Sequence, residues 1–148
     1  MKKFMRDFSF SESTFSNFSE CESESKTSNN TLLFYNSGVV TYGPVYLNFG
    51  SSSIVESVNQ ILLPKAGTLE NLTVKISNPP GTNNSRIIKI RINGIDSNLT
   101  LTINNSETFA SSNDSLLVNK GDLMSIQADT IGNLDYSIIY VSLEFNEC

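Results

Sequence analysis

The sequence predicts an all-β protein: a jelly-roll β-sandwich of about ten short antiparallel strands behind an extended N-terminal arm. Three observations lead there. Apolar residues recur at every second position in several segments, which is the period of a half-buried strand. Gly, Pro, Asn and Ser punctuate these segments at short intervals, as turns between strands require. No stretch has the length and spacing of a crossover helix, so a parallel α/β sheet is not expected. With 148 residues the chain accommodates one well-buried domain and not two. We divide it into an arm, residues 1–30, and a sandwich, residues 31–148.

The strands follow in order. Residues 31–35 and 39–42 read as two strands separated by Asn36-Ser37-Gly38, and Gly43-Pro44 interrupts before a third over residues 45–49. Residues 53–63 carry apolar groups near helical spacing (Ile54, Val58, Ile61, Leu62) but are stopped by Pro64, so a bent strand is favoured over a short helical turn. Leu72, Val74 and Ile76 share one face opposite Thr73, Lys75 and Ser77. Ile88, Ile90 and Ile92 oppose Lys89 and Arg91 in the same way. Asn93-Gly94 tolerates positive φ at both central positions of a tight turn and predicts a hairpin into residues 99–103. Residues 78–85 are expected to form an exposed hairpin tip. Residues 116–118 and 123–127 flank the turn Asn119-Lys120-Gly121-Asp122, and Ile139, Val141, Leu143 and Phe145 define a long final strand.

The arm has a different composition. Five of the nine phenylalanines (Phe4, Phe8, Phe10, Phe15 and Phe18) lie in it among Ser and Glu, with no Val, Ile or Leu. Such a segment cannot bury enough of its own apolar surface to offset its ordering entropy. Each ring would gain about 1.5–3 kcal/mol if fully desolvated in a pocket on another subunit. The alternation Phe8-Ser9-Phe10 suits one face of an added strand. Against this stands a solvated tail whose rings contact nothing. The two cysteines are Cys21, in the arm, and Cys148, the last residue. One reading makes them incidental thiols. Their position near the ends of the chain favours a second, a disulfide within one chain or between neighbours.

The segment Leu62-Leu63-Pro64-Lys65-Ala66-Gly67-Thr68-Leu69-Glu70-Asn71-Leu72-Thr73-Val74, with Arg91-Ile92-Asn93-Gly94-Ile95 and Val118-Asn119-Lys120-Gly121-Asp122-Leu123-Met124-Ser125-Ile126, resembles a β-domain of phage, large-virus and spore-surface proteins. Gly121-Asp122 followed by alternating apolar residues is also similar to the late strand of head domains in the tumour-necrosis-factor and complement-C1q superfamily. The resemblance spans roughly residues 60 to 145 and implies a jelly roll of the kind that caps fibres as a trimer. Spore appendage subunits are similar in architecture, being short jelly rolls with a cysteine-bearing N-terminal connector. That resemblance implies a connector role for the segment around Cys21.

Composition also excludes chemistry. There is no histidine, which removes Ser-His-Asp and Cys-His catalysis and the commonest metal ligand. Glu56, Glu70, Asp96, Asp114, Asp122 and Asp135 are available as carboxylate pairs for glycoside hydrolysis. Most adjoin Gly, Asn or Ser, where local hydrogen bonding in turns already accounts for them. Neither Asn113-Asp114-Ser115 nor residues 119–122 match a spaced calcium loop. No catalytic, cofactor or metal site is therefore expected, and the chain is read as a non-enzyme. A net charge of −5 opposes nucleic-acid binding. No continuous apolar run follows Met1-Lys2-Lys3, so neither a signal peptide nor a membrane span is expected.

The function expected from these features is a structural subunit that assembles with copies of itself, as a homo-oligomer or polymer, on the surface of a spore or virion released by lysis. The alternative is a trimeric receptor- or carbohydrate-binding head, in which Tyr35, Tyr42 and Tyr46 supply a sugar-stacking surface.

Overall fold

The structure, a computed structural model, describes residues 30–40, 43–132 and 136–148, residues 30–39 through their backbone alone. Within it the strands are β1 (Asn30–Val40), β2 (Val45–Leu47), β3 (Ser52–Ser53), β4 (Ile61–Leu62), β5 (Gly67–Ile76), β6 (Gly81–Ile92), β7 (Ile95–Asn105), β8 (Phe109–Ser111), β9 (Ser115–Val118), β10 (Leu123–Ile131) and β11 (Ser137–Glu147). They form a β-sandwich of two antiparallel sheets. The first sheet runs β1-β11-β5-β8, with β9 also on β5; the second runs β3-β2-β10-β6-β7, with β4 also on β10. The chain repeatedly changes sheet, and the expected all-β sandwich class is what the protein adopts. Among the described residues no helix is long and apolar enough to cross a membrane.

The core is where the two-residue period places it. Leu72, Val74 and Ile76 of β5 and Ile139, Val141, Leu143 and Phe145 of β11 face Ile88 and Ile90 of β6 and Met124, Ile126 and Ala128 of β10, all buried. Alternation does this because successive side chains of a strand point to opposite faces. The same period carries Arg86 inward beside Ile88 and Ile90. It is fully buried, and its Nη2 donates to the Val40 carbonyl at 3.0 Å. Burial pushes the pKa of this guanidinium down.

Four local expectations are corrected. Asn36-Ser37-Gly38 is a bulge within one strand, not a turn between two: Asn36 pairs with Tyr140 and Val39 with Ile138, so Ser37 and Gly38 together oppose Ile139. An unbroken partner strand keeps the chain extended through residues that alone favour a turn. Residues 77–80 connect β5 of one sheet to β6 of the other, so residues 78–85 are not an exposed hairpin tip. Pro79 and Pro80 lack the N–H that would continue a ladder. The crossing is held by Asn78, whose Nδ2 donates to the Tyr136 carbonyl (2.8 Å) and whose backbone N–H donates to Ser137 Oγ (3.1 Å).

The Asn93-Gly94 turn forms as expected, with φ of 54° and 81° and Ile92 paired to Ile95. β7 nevertheless starts at Ile95, ahead of the expected residue 99. A register shift between Lys89 and Arg91 takes up the added residues, and Ser97 Oγ donates across it to the Ile90 carbonyl at 2.7 Å. Finally, residues 53–63 are not one bent strand: the less favoured short helical turn forms instead, as a single 3₁₀ turn, Ser57–Asn59, between β3 and β4.

Candidate assembly surface

Phe4, Phe8, Phe10, Phe15, Phe18 and Cys21 lie outside the described residues. What the fold supplies is the point where the arm joins the body. In β1, Asn30 pairs with Asn146 and Thr31 with Phe145, two and three residues from the end of the chain. Beside them the Cys148 backbone N–H donates to the Ala66 carbonyl (3.1 Å), and Lys65 Nζ pairs with Glu147 Oε1 (3.0 Å). The start of β1 and Cys148 therefore lie at one end of the first sheet. β1 is also that sheet's terminal strand among the described residues. Such a strand presents backbone donors and acceptors toward a further strand.

The second feature is the connector between β3 and β4, which lies against the second sheet. Glu56 anchors it. Its carboxylate accepts from Arg91 Nε at 2.8 Å and from Ser125 Oγ at 2.6 Å. Arg91 also binds the Asp96 carboxylate and the Gly94 carbonyl, and Lys89 Nζ reaches Asp96 Oδ2 at 3.1 Å. Asn59 is buried, with its Nδ2 donating to the Val55 carbonyl (3.0 Å). The polar residues Glu56 and Asn59 thus face the protein. Ile54 (79% exposed) and Val58 (66%) face solvent, as does Leu62 (62%) of β4, whereas Ile61 packs against the core. Leu62 pairs with Leu123, itself exposed, at the start of β10.

This cluster is a clamp of mutually paired charges. The hydrogen bond from Arg91 holds Glu56 below its usual range despite some burial, with Ser125 helping. A hydrogen bond from Lys89 likewise lowers Asp96, and Glu56 raises Arg91. A general acid at neutral pH needs the opposite shift, upward. A carboxylate whose folded pKa is depressed stabilises the fold while ionised, and that contribution is lost as pH falls through the folded value. The clamp is thus complete above about pH 5 and weakens below the ordinary carboxylate range. We expect the melting temperature to fall more steeply on acidification in the natural protein than in Glu56→Gln, the two converging in acid. Scanning calorimetry from neutral pH downward checks this, and parallel curves would contradict it.

The other candidate carboxylates serve turns or neighbouring amides. Asp114 accepts from Ser112 Oγ (2.9 Å); Asp122 accepts from the Asn119 backbone N–H (2.8 Å) and from Asn93 Nδ2 (2.9 Å). Glu70 accepts from Asn146 Nδ2. Asp135 lies outside the described residues. Among the described residues no cluster of three or more metal-ligating side chains occurs.

Of the tyrosines expected to stack sugars, Tyr46 is half-buried with its hydroxyl accepting from Gln127 Nε2 (3.1 Å). Tyr42 and the side chain of Tyr35 lie outside the described residues. Two of the exposed aromatics lie elsewhere in one row: the register aligns Tyr140, Lys75 and Phe109 across β11, β5 and β8 of the first sheet. Sequence reasoning missed this row and the Glu56 clamp. Alternation puts Tyr140 and Lys75 on the outer face, but their adjacency depends on strand order.

No family model matches the sequence, and no curated protein matches it. The resemblance to tumour-necrosis-factor and C1q heads thus remains a resemblance. Similar solved structures include the acidic stable capsid structure of Helicobacter pylori bacteriophage KHP30, 11% identical, covering 80% of this chain and 93% of that one at a TM-score of 0.48. They also include a family 35 carbohydrate-binding module from Clostridium thermocellum, 15% identical over 76% of this chain and 97% of that one, TM-score 0.40. A third is a Podospora anserina β-(1,4)-mannanase carrying a module of that family, 15% identical over 82% of this chain and 29% of that one, TM-score 0.43. Values this low assign neither a family nor an activity.

Proposed function

We propose that the chain is a non-enzymatic structural subunit that assembles with copies of itself into a filament or particle surface of a spore or virion. The Phe-rich arm joins subunits, and Cys21 and Cys148 lock the contact. What supports this most directly is where the described body begins: Asn30 opens β1, the terminal strand of its sheet among the described residues, close to Cys148. Cys21 precedes Asn30 by nine residues, about 30 Å if extended, which reaches Cys148 of the same chain or of a neighbour. A main-chain ladder with buried rings would hold the copies together, and a disulfide would slow their separation. Negative-stain microscopy of the full-length protein with and without reductant tests the reading. We expect filaments or large oligomers without reductant, and shorter or fewer ones with it or in Cys148→Ser. Monomer under all three conditions would contradict assembly.

A specific observation favours the second reading, a receptor- or glycan-binding head. The Tyr140–Lys75–Phe109 row is an exposed aromatic strip with a central cation, suited to stacking on a sugar face and donating to its hydroxyls. A discrete trimer that binds glycans on an array, with the signal lost in Tyr140→Ala, would favour this reading over the first.

A further inference from the structure

The connector between β3 and β4 is amphipathic in reverse. Glu56 points into the protein and is hydrogen-bonded there, and Asn59 is buried with its amide on the connector's own Val55 carbonyl, while Ile54, Val58 and, in β4, Leu62 are exposed. A segment that only bridged two strands would gain by the opposite arrangement, because covering apolar surface is favourable and burying a carboxylate is costly. Here the ion pair to Arg91 and the bond to Ser125 stabilise the inverted orientation and hold the aliphatic side chains outward. Leu123 continues the apolar surface onto the first residue of β10, opposite Leu62. An apolar patch that is maintained in this way is made to be covered.

We infer that this patch is the acceptor site for the Phe-rich arm of a second copy of the chain. The inference rests on the proposed self-assembly and adds the surface on which it occurs. The arm supplies five phenylalanine rings and no aliphatic side chain larger than Met, whereas the patch supplies aliphatic side chains and no ring. The geometry of exit is also favourable. Leu63 donates to and accepts from the Asn119–Asp122 turn, and three residues later the Ala66 carbonyl receives the Cys148 N–H beside the β1 start, so patch and arm exit share one end of the sandwich. Phe18 precedes Asn30 by twelve residues, about 40 Å of extended chain, enough to cross to an adjacent copy.

The test uses the full-length chain with a photoreactive benzoylphenylalanine at Phe8 or Phe15, in an equal mixture of ¹⁴N and ¹⁵N protein. We expect mixed-mass cross-links to residues 54–62 or Leu123. Oligomers whose cross-links fall elsewhere, or only within single chains, would overturn this acceptor site while leaving assembly standing. Absence of any oligomer would overturn both. In the same full-length background, Val58→Asp with Leu62→Asp should leave the melting temperature unchanged, since both side chains face solvent, and raise the concentration needed for assembly roughly tenfold or more. Unaltered assembly of that variant would also overturn the site.

Discussion

Replacing Leu143 by Ala is expected to lower the stability of the sandwich by about 2–5 kcal/mol, the range for removing a large aliphatic side chain from a packed interior. Leu143 is fully buried on β11, the strand that β1 and β5 flank on either side. It lies at a register shift: Ser142 pairs with Thr73 and Glu144 with Glu70, so Leu143 opposes both Asn71 and Leu72. Asn71 takes φ of 56° there, and its Nδ2 donates to Glu144 Oε2 at 3.0 Å. With backbone pairing on both sides, the strand has little freedom to collapse into the space left by the removed atoms. A control at Lys75→Ala, on the exposed face of the adjacent strand, should change stability by no more than about 0.5 kcal/mol. Urea denaturation checks both, through a lower midpoint at unchanged slope for Leu143→Ala. Equal midpoints for the two variants would show that Leu143 is not in the core.

How far this architecture can be read from the sequence depends on the range of the interaction. Alternation in 72–76, 88–92 and 139–145 identifies strands and their inward faces because side-chain direction is a local property. Asn93-Gly94 is legible for the same reason: its positive φ angles are a preference of those two residues. The bulge at Ser37-Gly38 is not legible, since those residues favour a turn and only pairing with β11 holds them in a strand. Arg86 falls on the buried face by simple alternation, yet its charge predicts the surface; packing within the sandwich decides. The Glu56 clamp is least accessible of all, as it joins residues 35 and 69 positions apart. In the sequence, Ile54, Val58, Ile61 and Leu62 share near-helical spacing and look like one face of an element seeking a core. In the structure only Ile61 packs against the core, and the clamp on the opposite side leaves Ile54, Val58 and Leu62 turned outward.

The larger effect concerns the arm. The buried core of the described body runs from Val40 to Phe145, and we expect removal of residues 1–29 to leave the fold in place. If the arm joins copies, its removal deletes every contact made by five phenylalanine rings, each worth about 1.5–3 kcal/mol when fully covered. Even two such rings per contact would shift the assembly concentration by more than roughly a hundredfold. The loss should not depend on redox state, because the rings act without the thiols. Sedimentation velocity of the full-length protein and of residues 30–148, at matched concentration and in reductant, measures this directly. The account predicts large species for the full-length chain and a folded monomer for the truncated one. Identical sedimentation of the two, whether both monomeric or both assembled, would contradict it.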